Sequence, residues 1–520
     1  MASRLSFQPG LLASGSPRSD PVRCRPGFSR FKVSTFRLAT RGVVWMLGAQ
    51  VITSLGQFLY AALTARVFSP SDFGGFAASL SLTGLLTLLT TTGFPSYILM
   101  SGNLSRRAAN LTRLLALGGG VAASVLFLVA LPSWLYALKA VTGSIFAPAL
   151  AISQAVAPIA AVESAILRRE GRPGADATAL LTAFVLSASS GAVAIFVHKD
   201  SWQLALPTVL YPVVLFASSV ALRRHRLPNI PNETPPSLFR FSGRVTAQNV
   251  GFFALQQASG WVVSARMGAQ GLGYFTRAGT LAGMPATALS LAINRAMQPH
   301  WRKLTNSASS DRAIKEASIL SSGLAFFLFG LLATYGPELT TLWLGPGWSK
   351  AGELVPFMAV SYGISVPFTI LANSAEMRGI FSPVRRSQLI MGGFMLPCLL
   401  ALIMTGSLLW AGAAMAIAQG AALVSLLLSL PWGTKTNRTQ TLLAVGRQAI
   451  WSAAFCSLGW LVASSIEPTG IYDGRYGVAL RIGVGCSFSI AAFLFSARWN
   501  AVVAVLHDRG LRLPTLRGPA

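Results

Sequence analysis

The sequence predicts an all-α integral membrane protein of about fourteen transmembrane helices with both termini in the cytoplasm. Three observations predict it. Apolar residues make up 53% of the chain and charged residues only 11%, against about 25% charged in an average soluble domain. Stretches of 18 or more residues without a charge recur along the whole length, and each could cross a hydrocarbon layer of roughly 30 Å. The lysines and arginines gather in alternate loops, as the positive-inside rule requires of one face of the membrane.

The elements follow in order. Residues 1–40 are basic, rich in Ser, Pro and Arg, and lack the apolar run of a signal peptide. They read as a disordered cytoplasmic tail, with binding to lipid headgroups as a second reading. The N-terminal half, 41–222, holds apolar segments at 43–65, 73–99, 111–131, 145–167, 178–197 and 202–222. Arg66 ends the first, Arg106, Arg107 and Arg113 open the third, and Arg168, Arg169 and Arg172 follow the fourth. Residues 223–245, with "RRHRLPNIPNETPPSLFRFSGR", form the longest loop, and their prolines and basic residues make it a linker between halves. The second half, 246–430, repeats the plan at 246–265, 272–294, 318–340, 354–377, 388–405 and 408–430. Two more segments, 447–466 and 476–497, lie in 431–506, and 507–520 is a second cytoplasmic tail. Counted on this register, all Lys and Arg fall on the cytoplasmic side except Arg66, Lys139, Lys199, Arg266, Arg277, Lys350, Arg475 and Arg481. A register wrong by one helix would have mixed the two loop classes.

The same composition excludes several functions. The net charge of +27 would suggest nucleic acid in a soluble protein, but no sizeable soluble segment interleaves basic and aromatic residues, so no nucleic-acid partner is expected. The cysteines, Cys24, Cys398, Cys456 and Cys486, have no metal-like spacing. The histidines, His198, His225, His300 and His507, are too dispersed for a metal cluster. No HExxH, Walker A or GxSxG motif occurs. The chain therefore reads as no enzyme, with no cofactor and no metal.

A hairpin is written twice. "LTARVFSPSDFGGFAASLSL" (63–82) aligns with "VSARMGAQGLGYFTRAGTL" (263–281). Gln57, Ala65 and Arg66 match Gln257, Ala265 and Arg266. After the turn Gly74, Phe76 and Leu82 match Gly273, Phe275 and Leu281. Both copies start at the same face, so the halves form a parallel repeat, a transporter plan that places the substrate between them. Polar side chains mark the wall of such a cleft. Gln50 and Gln57 share a face of the first segment with Ser54, and Asn249, Gln256 and Gln257 repeat the pattern on the seventh. Interhelical hydrogen bonding is the competing role for each. Arg66, Arg266, Arg277 and Arg295 would make the cleft electropositive. Arg66 and Arg266 lie near helix ends, where they could also snorkel, whereas Arg277 lies well inside its segment. Two acids, Glu163 and Glu376, are candidates for ion coupling; pairing with Arg168/Arg169 and with Arg378 is the favoured role.

Three segments in order resemble one family. "TARVFSPSDFGGFAASLSLTGLLTLLTTTGFPSYIL", "ARMGAQGLGYFTRAGTLAGMPATALSLAINRAMQPHWRKL" and "YGPELTTLWLGPGWSKAGELVPFMAV" are similar to hairpins of the Wzx-type polysaccharide flippases. These belong to the multidrug/oligosaccharidyl-lipid/polysaccharide exporter superfamily, and the likeness is close to the lipopolysaccharide and exopolysaccharide exporter branch. It covers roughly residues 40–430. The resemblance implies two six-helix lobes in a V plus two extra helices. It implies transport of an undecaprenyl-diphosphate-linked oligosaccharide across the cell membrane for surface polysaccharide biosynthesis. The partners it implies are the polyprenyl-diphosphate-linked glycan, membrane lipid, and glycan polymerase and co-polymerase proteins. Arginines suit a diphosphate because their forked donors match phosphate oxygens. Arg277, with Arg66, Arg266 and Arg295, would supply them, while the Gln/Asn stripe would bond sugars. A lipid II flippase or cation-coupled multidrug antiporter is the alternative within transport. A membrane glycan polymerase or ligase is the alternative of another class.

Overall fold

The computed structural model describes residues 48, 52–91, 93–100, 105–170, 173–197, 199–223, 238–301, 307–378, 380–430, 435–465 and 475–495. Every described element is helical. In chain order they are α1 (52–65), α2 (Pro70–Thr91), α3 (Gly93–Met100), α4 (Arg106–Ala137), α5 (Ala147–Arg169), α6 (Pro173–Val197) and α7 (Leu206–Ala221). Then come α8 (Leu238–Trp301), α9 (Ser307–Leu344), α10 (Ser349–Met377), α11 (Ser382–Thr405), α12 (Leu409–Ser429), α13 (Lys435–Ser464) and α14 (Arg475–Phe495). Each of the fourteen predicted segments overlaps helical residues.

Nine helical stretches among the described residues are long and apolar enough to cross a membrane. Their outer faces carry exposed apolar side chains such as Val129, Val193, Leu389 and Met404, a surface that only lipid would solvate favourably. The protein is a multi-pass membrane protein.

The boundaries differ from expectation where local chemistry overrides hydropathy. Helix α4 starts at Arg106 because Ser105 caps it, its side chain accepting from the Ala108 N–H. Helix α8 starts at Leu238, inside the predicted linker, since after Pro235 and Pro236 no proline interrupts the chain until Pro285. The predicted segment 73–99 is two helices, α2 and α3, with residue 92 outside the described set.

The repeated hairpin turns by two different devices. After α1, Ser69 and Asp72 form a capping box: the Ser69 N–H donates to Asp72 Oδ2 at 3.0 Å and the Asp72 N–H to Ser69 Oγ at 3.3 Å. Pro70 takes the first helical position, where its missing N–H costs nothing. In the second copy the turn is a single kink within α8 at Gly268, whose φ of 70° and ψ of −168° suit glycine. The kink divides α8 into a first arm (238–267) and a second arm (269–301).

The halves meet through α2 and the second arm of α8. A continuous buried core runs across that contact, from Phe73, Ala78 and Leu82 to Phe275, Ala278 and Leu281. Within the first half, α4–α7 are bound at one end by buried ion pairs. Helices α13 and α14 lean on α9, where Phe327 and Phe493 stack at 4.3 Å.

Candidate functional site: a sealed crossing between the halves

At the end of the molecule where both hairpins turn, the halves close on each other. Gly74 of α2 lies against the Ala269 backbone, and Gly273 of α8 lies against the Pro70 backbone. A Cβ at either glycine would overlap the carbonyl oxygen of the other strand of contact, so both positions demand glycine. The sequence alignment that equates Gly74 with Gly273 also equates Pro70 with Ala269. The contact is therefore an isologous one, each glycine meeting the other half's equivalent residue.

Tryptophans close the sides in the same twofold manner. On one side, Trp343 of α9 stacks on Phe58 of α1 at 4.2 Å and donates to the Phe58 carbonyl at 3.2 Å. On the other, Trp134 of α4 meets Trp261 of α8 edge-on at 5.3 Å, and Ser264 donates to the Leu138 carbonyl at 2.7 Å. Trp348, just after α9, is the plug: it is 2% exposed, donates to the Ala65 carbonyl at 2.9 Å, and packs on Phe73 and Tyr274. The turns presenting these groups are matched too, with Lys139 (φ 49°) after α4 and Gly345 (φ 104°) after α9.

Arg277 lies one turn beyond Gly273 on α8. Its guanidinium carbon stands 3.6 Å above the centre of the Phe73 ring, a cation–π contact across the two halves. The Tyr60 hydroxyl is within electrostatic reach; it is buried and lacks a hydrogen-bond partner. The position of the first repeat equivalent to Arg277 is Ala78, fully buried.

The other arginines of the expected set sit elsewhere. Arg66 donates to the Leu342 carbonyl at 3.4 Å and Arg266 to the Ile403 carbonyl at 3.1 Å, and both are exposed. Each binds carbonyls in the last turn of a neighbouring helix, α9 or α11, where a cation offsets the partial negative charge of the helix end. In this structure both arginines hold helix ends. Arg295 and Asn249 belong to the α8 backbone, but their side chains lie outside the described set, and Gln50 lies outside the described residues. Gln57 is exposed on α1, and Gln257 is half-buried on α8.

The two acids part company. Glu163, 3% exposed, is held by Arg113 through a two-pronged ion pair whose Nη2–Oε2 arm is 3.1 Å, and Arg223 approaches at 3.7 Å. The carboxylate is fixed between two guanidinia, the paired role that the sequence favoured, with other arginines as partners. Its partners are not Arg168 and Arg169; Arg168 faces Asp176 instead, at 3.7 Å. Glu376, by contrast, makes no ion pair among the described residues. It lines a cavity of about 540 Å³ inside the second half, between α8, α10, α11 and α12. Gln256 is on that wall, with Thr287, Ser290, Asn294, Tyr362, Asn373, Gln388 and Gln419. Among the described residues no group of three metal-ligating side chains occurs.

Sequence reasoning missed Trp348, Phe73, Tyr60 and Asn294. Trp348 stood in the quoted "LGPGW", but nothing in a sequence says that its ring inserts beneath α1.

The fold of these helices is similar to those of solved membrane transporters. The lipid II flippase MurJ in an inward closed conformation superposes with a TM-score of 0.64 at 11% identity, covering 88% of this chain and 99% of that one. A point mutant of the Vibrio cholerae MATE transporter VcmN gives 0.53 at 14%, over 76% and 98%. A MOP superfamily transporter from Pyrococcus furiosus gives 0.50 at 15%, over 78% and 96%. At these identities the likeness is one of fold. Residues 63–353 match the polysaccharide biosynthesis protein family, and the chain belongs to it. No curated protein matches the sequence.

Proposed function

We propose that the protein is a flippase that carries an undecaprenyl-diphosphate-linked oligosaccharide from the inner to the outer leaflet by alternating access. The chain then crosses the membrane fourteen times with both termini in the cytoplasm, and the sealed end is the outer one. The observation that carries the reading is Arg277, one turn inside a glycine crossing that is complementary to itself. A contact built from backbone on backbone is either made or broken, which suits a gate. The forked guanidinium beneath it, with the Tyr60 hydroxyl beside it, suits the diphosphate that all such lipid carriers share. Membership of a polysaccharide biosynthesis family supports a glycan as the cargo.

The test is the pool of lipid-linked intermediates in cells lacking the protein, separated by leaflet. Accumulation of a diphosphate-linked oligosaccharide on the cytoplasmic side supports the flippase and gives its sugar by mass. Accumulation of lipid II instead makes it a lipid II flippase. Equal access in both leaflets, with unpolymerised glycan outside, overturns transport in favour of a polymerase or ligase.

A further inference from the structure

The cavity of the second half has properties that the transport reading does not use. Its rim and floor differ: Gln256 and Thr287 are exposed, whereas Asn294 and Gln419 are each only 7% exposed. The Asn294 side-chain oxygen is buried without a hydrogen-bond partner among the described residues. Leaving such an acceptor dry and unpaired is costly, so its place in a cavity wall calls for a donor from a ligand or water. Tyr362 and Phe368 add aromatic faces to the lining. Tyr362 is accommodated because Gly283 of α8 has no side chain; a Cβ there would stand 3.1 Å from its ring. Among the described residues, Glu376 is the one carboxylate of the lining, and no lysine or arginine joins it there.

Size separates the possible occupants. A cation cage brings six to eight oxygens to roughly 2.3–2.6 Å of one point. About 540 Å³ lies instead within the roughly 300–1,000 Å³ of small-molecule sites. The chemistry on the walls is amide, hydroxyl and aromatic ring, which suits a solute with many hydroxyls and an apolar ring face. The uncompensated carboxylate repels anions and attracts amines.

Resting on the flippase reading, we infer that this cavity is a glycan subsite that accepts neutral and amino sugars and rejects acidic ones, with Glu376 as the discriminating residue and Asn294, Tyr362 and Gln256 as its hydrogen-bonding frame. In the first half, by contrast, Glu163 is paired with Arg113. Sugar selection is therefore assigned to the second half, and the diphosphate, common to all lipid carriers, to Arg277.

The test uses the full chain in detergent micelles and three probes: methyl glucoside, methyl glucosaminide and methyl glucuronide. Saturation-transfer NMR with titration should give a dissociation constant at least tenfold lower for the glucosaminide than for the glucuronide. Glu376→Lys should reverse that order, and Asn294→Leu should weaken all three. Glu376→Gln, the smaller change, should remove the discrimination without abolishing binding, which guards against loss of fold in the lysine variant. Equal binding of acidic and amino sugars, or an order unchanged by Glu376→Lys, overturns the inference. So does sodium binding that Glu376→Gln removes while no glycoside binds, which makes the cavity a cation site. Leaflet separation of lipid-linked glycans in cells reports on the flippase reading independently. Glycoside selectivity without translocation sinks the flippase and keeps the subsite; translocation without glycoside binding does the reverse.

Discussion

Gly74 and Gly273 form a reciprocal contact, each lying against the carbonyl of the residue four positions before the other. Backbone on backbone leaves no side chain to yield. Gly74→Ala or Gly273→Ala should therefore disfavour the closed end by about 1–3 kcal/mol, the usual cost of overpacking. That corresponds to roughly a 5–150-fold shift in population. A cysteine placed at Thr276, labelled by an impermeant maleimide from outside the cell, should react faster in either glycine variant. Unchanged labelling would mean that the crossing is a permanent joint.

Trp348 ties the turn after α9 to the end of α1 and to both faces of the crossing. Trp348→Phe keeps most of the packing and loses the bond to Ala65, at about 1 kcal/mol. Trp348→Ala empties the plug, at about 3–5 kcal/mol. Thermal unfolding in detergent should rank wild type above the phenylalanine variant and that above the alanine variant. The alanine variant should also label from outside like the glycine variants.

Glu163 and Arg113 make a structural pair. Removing one partner strands a buried charge, at about 3–5 kcal/mol, so Arg113→Leu should lower the unfolding temperature sharply. Arg113→Leu combined with Glu163→Leu should restore much of it, since an apolar pair of similar size needs no desolvation of charge. Transport per folded molecule should stay near wild type in the double variant. A collapse of transport with stability intact would return Glu163 to the list of coupling groups.

The arginines should separate by role. Arg277→Ala should cut translocation at least tenfold, about 1.4 kcal/mol or more, and Arg277→Lys should recover part of it, because an ammonium keeps charge but loses the fork. Arg66→Ala and Arg266→Ala, at helix ends, should cost about 0.3–1 kcal/mol of stability and leave translocation within twofold. Equal losses from all three would place them in one cleft.

Much of this was legible in the chain. Helices need only a run of apolar residues bounded by charge or turn chemistry, and both are local. The "SPSD" capping box and the Gly268 turn fall where the residues say a hairpin ends. The alignment makes Gly74 and Gly273 equivalent, but only the structure brings each against the other half's backbone. The acids were harder. Glu163 and Glu376 look alike in sequence, each near one end of an apolar segment, and among the described residues only Glu163 makes an ion pair.

The sequence by itself determined a membrane protein of repeated halves, because hydropathy, charge bias and the doubled hairpin are properties of neighbours along the chain. The tertiary structure alone decided which polar groups face each other. Arg113 reaches Glu163 across two helices, Arg66 finds the Leu342 carbonyl, and Trp348 slides beneath Ala65. Inside a membrane the partners of a polar group are set by helix rotation and packing, and that pairing across the fold divides the arginines into Arg277 over the Phe73 ring and two helix caps.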